Sequence, residues 1–334
     1  MNALERTEAA RLLEDSPYVR IGIVGDFALD AYWNLDPAKS TVSLETGLPT
    51  RPVREQRYEL GGGANIAANV SALGARVRAF GVVGNDPWGR ELGLNLRDLH
   101  GVDTESLIEQ RTQWATPVFV KPHLDGAEQE RYDTADFNEL LPGTATRLLA
   151  DLEAALRVLH LVIVNEQILD SLHAPVFRSR LAELVAAHPG RFIVDSRYHA
   201  NEYRNACVRV NDREAVRLQQ GGGRPDRPDR DHVIAAAEAL YARAGQPVFV
   251  SRGPDGVVVR DEAGIHEVPG RNVEGPIDIV GAGDSLLAGI SLALAQRTSA
   301  VRAAEFGILV ASVTIRKLRR CGTASPAEVL ALLD

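Results

Sequence analysis

The sequence predicts an α/β protein with a doubly wound, mainly parallel sheet and a small β lid, and three observations carry that prediction. After Leu140, short β-branched runs alternate with stretches of helical spacing, the pattern of a parallel sheet covered on both faces. Two glycine-rich stretches, GGGANIAANVSALG from Gly61 and DIVGAGDSLLAGI from Asp278, each stand at the mouth of a small-residue or apolar helical run. Two segments, 32–60 and 113–136, carry prolines and alternation without a helical period and read as β insertions. The expected core is therefore 1–31, 61–112 and 137–334, with the two insertions pairing into one lid.

Composition narrows the function classes. The chain has 334 residues, 45% hydrophobic and 25% charged, values of a globular protein with one large core and an appendage. No apolar run approaches the roughly 18 residues of a membrane span. The opening MNALERTEAARLLED lacks the apolar region of a secretory signal and reads as an amphipathic helix, so the cytoplasm is the expected location. Two cysteines, Cys207 and Cys321, are too few for a disulfide framework and are expected to be structural. The net charge of −8, from 45 acidic and 37 basic residues, argues against a nucleic-acid surface and leaves small anionic ligands open. Lysine occurs only at 39, 121 and 317, and no P-loop pattern is present.

Taken in order, YVRIGIVG is a first core strand ending at Gly25, with Asp26 and Asp30 following it. Acids just past a strand's carboxyl end are candidates for a ligand site in an open α/β sheet, and equally for turn formation. GGGANIAANVSALGARVRAFGVVG gives a glycine turn, a helix and a second buried strand ending at Gly84. TPVFVKPHLDGAEQERYDT reads as a hairpin turning at Asp125-Gly126. LHLVIV, RFIVD, ACVRV, PVFVS and GVVVR then supply further strands, and GGGRPDRPDRD from Gly221 reads as a polar loop.

Glycine inside a helix is unfavourable by roughly 1 kcal/mol relative to alanine, so Gly281 and Gly283 belong at a helix entry near Ala282, ahead of Leu286, Leu287, Ile290 and Leu294. A helix N-terminus offers unpaired N–H groups and a dipole that favours negative charge, and small residues let an anion approach. Asp284 in that first turn is equally explained as ordinary helix charging.

Together these motifs resemble the signatures of the PfkB, ribokinase-like, carbohydrate kinases: GGGANIAANVSALG the N-terminal one and DIVGAGD the C-terminal one, about 200 residues apart. SLETGLPTRPV from Ser43 and CGTASPAEVLALL from Cys321 look most like the heptose-7-phosphate kinase branch. The resemblance implies a ribokinase-like fold and ATP-dependent phosphorylation of a hydroxyl on a sugar or sugar phosphate. It implies Asp284 as general base and the Gly281-Ala282-Gly283 backbone as an anion hole for the transferring phosphoryl group. NDRE matches an N-x-x-E motif, which implies Asn211 near the nucleotide and Glu214 organising Mg2+ through water; a plain strand-end turn and helix start is the other reading. Asp30 aligns with an acid that holds sugar hydroxyls, Asn65 with a second polar contact, and Gly62 and Gly63 with close backbone approach; Asp26 is either a further hydroxyl ligand or a turn residue. SRGPDG places Ser251, Gly253 and Gly256 beside the nucleotide. The rival readings are a nucleoside kinase and a catalytically idle sugar- or nucleotide-binding regulator. A homodimer through the lid is expected, and if the acceptor carries a phosphate, Arg51, Arg54, Lys121 and Arg131 are the lid cations that would meet it.

Overall fold

The computed structural model describes residues 4–221 and 227–333; part of the Gly/Pro loop, 222–226, lies outside the described residues. In chain order, helix α1 (Arg6–Glu14) precedes β1 (Arg20–Gly25), β2 (Phe27–Leu35), β3 (Val53–Gly62), α2 (Gly63–Ala72), β4 (Arg76–Gly84), α3 (Pro87–Arg97), β5 (Val102–Gln110), β6 (Val118–Leu124), β7 (Ala127–Glu128) and β8 (Tyr132–Asp133). The second half runs α4 (Pro142–Ala155), β9 (Leu161–Glu166), α5 (Pro175–Ala186), β10 (Phe192–Ser196), β11 (Cys207–Asn211), α6 (Asp212–Gln220), α7 (Arg230–Ala244), β12 (Val248–Ser251), β13 (Val257–Asp261), β14 (Gly264–Val268), α8 (Ala282–Ala295), α9 (Ala300–Thr314) and α10 (Pro326–Leu330).

The main sheet has nine strands in the order β14-β13-β12-β11-β10-β9-β1-β4-β5. The strands from β12 to β5 pair in parallel, and β13 and β14 are antiparallel at one end. Both faces are covered because successive side chains point to opposite sides. Ile21, Ile23 and Ile163 join a core with Leu12, Ile66, Leu287 and Phe306, whereas Val24, Val162 and Val164 join one with Leu148, Phe177, Val216 and Val233. The chain leaves β1 toward β4 on one side and comes back as β9 on the other, so β1 marks the switch point, where an open α/β sheet leaves a crevice at its strand ends.

A second, five-stranded sheet has the order β3-β2-β6-β7, with β8 also on β6. It begins earlier than residue 32: only Asp26 separates β1 from β2, which starts at Phe27, so the chain steps from one sheet directly into the other. Two strands were not singled out from sequence, β5 and β14. Both are terminal strands of the main sheet, where part of each strand stays accessible and polar residues interrupt the apolar run.

Candidate active site

The C-terminal ends of the parallel strands, the second sheet and the mouth of α8 enclose a cavity of about 1270 Å³. The α8 end is built by its glycines. Gly281 caps the helix at φ 73°, a left-handed conformation that L side chains rarely adopt. Asp278 fixes the preceding loop by accepting from the N–H groups of Val280 (3.0 Å) and Arg319 (2.8 Å). Ala282 N–H donates to Ile279 O at 3.1 Å. It is therefore not free for a ligand, which corrects its assignment as an anion-hole donor. The N–H groups of Gly281, Gly283 and Asp284 have no acceptor among the described residues, and all three residues line the cavity.

Asp284 stands in this first turn with one carboxylate oxygen accepting from Asn65 Nδ2 at 2.6 Å. Asn65, at the start of α2, is itself gripped by Asn69, whose amide donates to its side-chain and backbone oxygens at 3.2 and 2.9 Å. Burial pushes the Asp284 carboxyl up to about 6, and Asp195 adds to the rise, against the Asn65 hydrogen bond and the charges of Arg209 and Arg197. A carboxylate so placed accepts a proton near neutral pH.

On the second sheet, Asp30 also borders the cavity and pairs with Lys121 Nζ at 2.8 Å. Arg131 lies over the Phe119 ring and pairs with Asp133 at 2.6 Å. The other two lid cations do not reach the cavity: Arg51 is exposed and Arg54 pairs with Asp36. Cys321 lines the cavity too, and burial and the charges of Asp30, Glu59 and Asp284 raise its thiol.

At the opposite end, Asn211 and Glu214 form a reciprocal capping box on α6: Asn211 accepts from Glu214 N–H and Glu214 Oε2 from Asn211 N–H, each at 2.9 Å. The turn-and-helix reading of N-x-x-E is thus realised, yet both residues also line the cavity. Ser251, Gly253 and Gly256 line it as well. Gly256 is held at φ 86°, where a Cβ would come 2.1 Å from Val268 O, so only glycine fits. Among the described residues no group of three or more His, Cys, Asp or Glu is arranged to hold a metal ion.

Two further expectations are corrected. Asp26 is 3% exposed and does not line the cavity. Its Oδ2 accepts from the N–H groups of Gln167 and Ile168 at 2.8 and 2.9 Å, and its backbone oxygen accepts from Gly63 N–H at 2.8 Å. It ties β1 to α2 and to the loop after β9, and burial raises its carboxyl. Gly63 is likewise buried behind the surface, and Gly61 and Gly62 face the ligand space instead.

Sequence reasoning passed over Asp195, Arg197 and Arg209, all of which border the cavity. Arg209 had a signal: an arginine inside the otherwise apolar strand CVRVN requires a buried partner. That partner is Asp195, 3.0 Å away.

The doubly wound sheet with its crevice at β1 is a ribokinase-like fold. It aligns with Arabidopsis thaliana ribokinase, solved with ribose and ATP, at a TM-score of 0.74 over 95% of this chain and 99% of that one, with 18% identity. Cryptococcus neoformans ribokinase, solved with ADP, gives 0.72 over 94% and 100%, also at 18% identity. The chain belongs to the pfkB family of carbohydrate kinases, whose profile matches residues 32–327. It is 30% identical to the Bifunctional protein HldE of Rhodospirillum rubrum over 95% of its own length and 62% of that protein's. It is also 30% identical to that of Gluconacetobacter diazotrophicus, over 96% and 65%. The chain thus spans less than two thirds of the length of these relatives. No helix among the described residues is long and apolar enough to cross a membrane.

Proposed function

We propose that this carbohydrate kinase moves the terminal phosphoryl group of ATP onto a hydroxyl of a sugar or sugar phosphate, with Asp284 as general base. The observation that carries the reading is the α8 entry: a carboxylate oriented by Asn65 stands beside three N–H groups with no acceptor among the described residues. The carboxylate takes the hydroxyl proton as the acceptor oxygen loses charge, and the N–H groups receive the charge on the transferring phosphoryl. Asp30, Gly61 and Gly62 supply the acceptor end; Asn65, with its amide engaged by Asp284 and Asn69, acts mainly by holding the base. Asn211, Ser251, Gly253 and Gly256 supply the nucleotide end.

Glu214 suits Mg2+ because its Oε1 has no partner among the described residues while Oε2 is fixed by the capping box. When bound, magnesium offsets phosphate charge, and Glu214 would hold it through water. The second sheet would act as the lid. Its exposed tip, with Val42 at 63%, Leu44 at 103% and Leu48 at 65% exposure, supports a homodimer through that sheet, which sedimentation of the purified protein tests.

The test of the function is ADP release from ATP and magnesium with a panel of sugars, sugar phosphates and nucleosides. Release that depends on a sugar or sugar phosphate supports the reading. Release with nucleosides alone favours a nucleoside kinase, and none with any acceptor favours an idle binding protein.

A further inference from the structure

We propose that Arg209 is a catalytic residue whose guanidinium, together with the open N-terminus of α8, holds the phosphoryl group during transfer, and that Asp195 is the positioning residue that aims it. The proposal rests on the kinase reading above and assigns a role to a buried ion pair which that reading leaves idle.

Arg209 comes from the middle of β11, is 8% exposed and borders the cavity. Its Nη1 donates to Asp195 Oδ1 at 3.0 Å and its Nη2 to Ser251 Oγ at 3.2 Å, while its Nε has no partner among the described residues. A guanidinium carries five donors and does not lose its charge, so this one keeps donor capacity where solvent is scarce.

Its place against α8 is the second observation. A Cβ added to Gly283 would lie 2.8 Å from Nη2, 3.2 Å from Nη1 and 3.3 Å from Cζ of Arg209. The absent side chain of Gly283 is what lets the guanidinium reach the first turn of α8. The helix dipole is positive there and disfavours a cation, which the carboxylates of Asp195, Glu214 and Asp284 offset. Two positive elements brought to one point, beside N–H groups without acceptors, form a receptor for an anion. Phosphoryl oxygens are the anion that the proposed reaction brings to that point.

Asp195 does not fill that receptor, because its bonds are spoken for. Oδ1 takes Arg209, and Oδ2 accepts from Asn165 Nδ2 at 3.0 Å and Gln167 Nε2 at 3.4 Å. A carboxylate held from β9 and its following loop fixes the fork of Arg209 in one orientation. A buried ion pair is weak evidence for stability, since desolvation can exceed the Coulombic gain, so service to a ligand accounts for this pair better than stability does.

The test compares Arg209→Gln, Arg209→Lys and Asp195→Asn by turnover and by calorimetric binding of magnesium ATP and magnesium ADP. Removing one preorganised donor or cation from a developing charge typically costs about 10²–10³ in rate. We expect Arg209→Gln to lower kcat by about that factor with the acceptor KM within threefold. It should weaken ATP at least fivefold more than ADP. Arg209→Lys should recover about tenfold of the lost kcat, and Asp195→Asn should cost less in the Arg209→Gln background than alone. Turnover of Arg209→Gln within threefold of wild type, or equal loss of ATP and ADP binding with no recovery by lysine, would overturn the proposal. If Arg209→Gln is poorly folded, Arg209→Lys and Asp195→Asn decide by the same ATP-to-ADP comparison. That comparison needs no acceptor, so it stands even where no sugar is phosphorylated and the kinase reading itself has failed.

Discussion

The entries of α2 and α8 start from the same sequence device, glycines ahead of a helix of small residues, and differ in what stands in front of them. At α2 the backbone of Asp26 takes the first N–H, while Gly61, Gly62 and Asn65 still line the cavity. Gly63 N–H donates to Asp26 O, Gly62 is held at φ 53°, and a Cβ on Gly62 would lie 2.5 Å from Asp26 O. At α8 no backbone crosses the mouth: the N–H groups of Gly281, Gly283 and Asp284 face a cavity, and the nearest neighbours are the side chains of Asn65 and Arg209. The difference lies in what passes in front. The single residue between β1 and β2 lies against Gly62 and Gly63 at the mouth of α2, whereas only side chains stand close to Gly281 and Gly283 at that of α8.

Substitutions should separate the two ends. The largest effect is expected from Asp284→Asn, which keeps the shape and the open N–H groups but cannot take a proton. We expect kcat to fall by about 10³, within the usual span of general-base contributions, with ADP affinity within twofold by calorimetry. Gly62→Ala should act on the fold as well as on the acceptor end, because it combines a left-handed backbone with a clash against backbone that cannot move cheaply. A loss of about 2–3 kcal/mol in denaturant unfolding is expected, and an unchanged midpoint would refute the close approach of Asp26 to Gly62.

A smaller effect, opposite in sign, is expected on the stability of Asp284→Asn. A carboxyl raised from 3.8 to about 6 in the folded protein favours folding when protonated. That contribution is fully present below about 3.8 and is lost as pH rises through about 6. The asparagine variant should therefore gain on wild type as pH rises from 4 to 7, by a few degrees in Tm at pH 7.5. Smallest is Lys121→Met, which frees Asp30 from its ion pair at the lid. It should raise acceptor KM severalfold while leaving the KM for ATP unchanged in initial-rate assays.

The α8 mouth was legible as a helix entry because glycine is unfavourable inside a helix, and as a phosphoryl site only through its resemblance to the kinase signature. The parallel core was legible because its central strands, buried on both faces, are continuous apolar runs. Asp26 and Asp30 were not separable, since both follow β1; only the step of the chain into a second sheet turns one inward and leaves the other on the cavity. Arg51 and Arg54 failed for a similar reason, because the path of the chain through the first insertion decides which cation faces inward, and Arg54 meets Asp36 instead, whereas Arg131 does line the cavity. Arg209 was visible as an anomaly in an apolar strand, but its neighbours Asp195, Ser251 and Gly283 come from three other parts of the chain.

The central claim is that the carboxylate at the open mouth of α8 takes the acceptor's proton. Its most direct test is the pH dependence of kcat/KM for an uncharged sugar found to be a substrate, measured by ADP release from pH 5 to 8 with magnesium ATP saturating throughout. With Asp284 raised to about 6, the rate should be level above pH 7 and fall toward tenfold per pH unit below 6. The residual activity of Asp284→Asn should lack that inflection. A wild-type profile that stays level down to pH 5, or the same inflection in Asp284→Asn, would contradict the account.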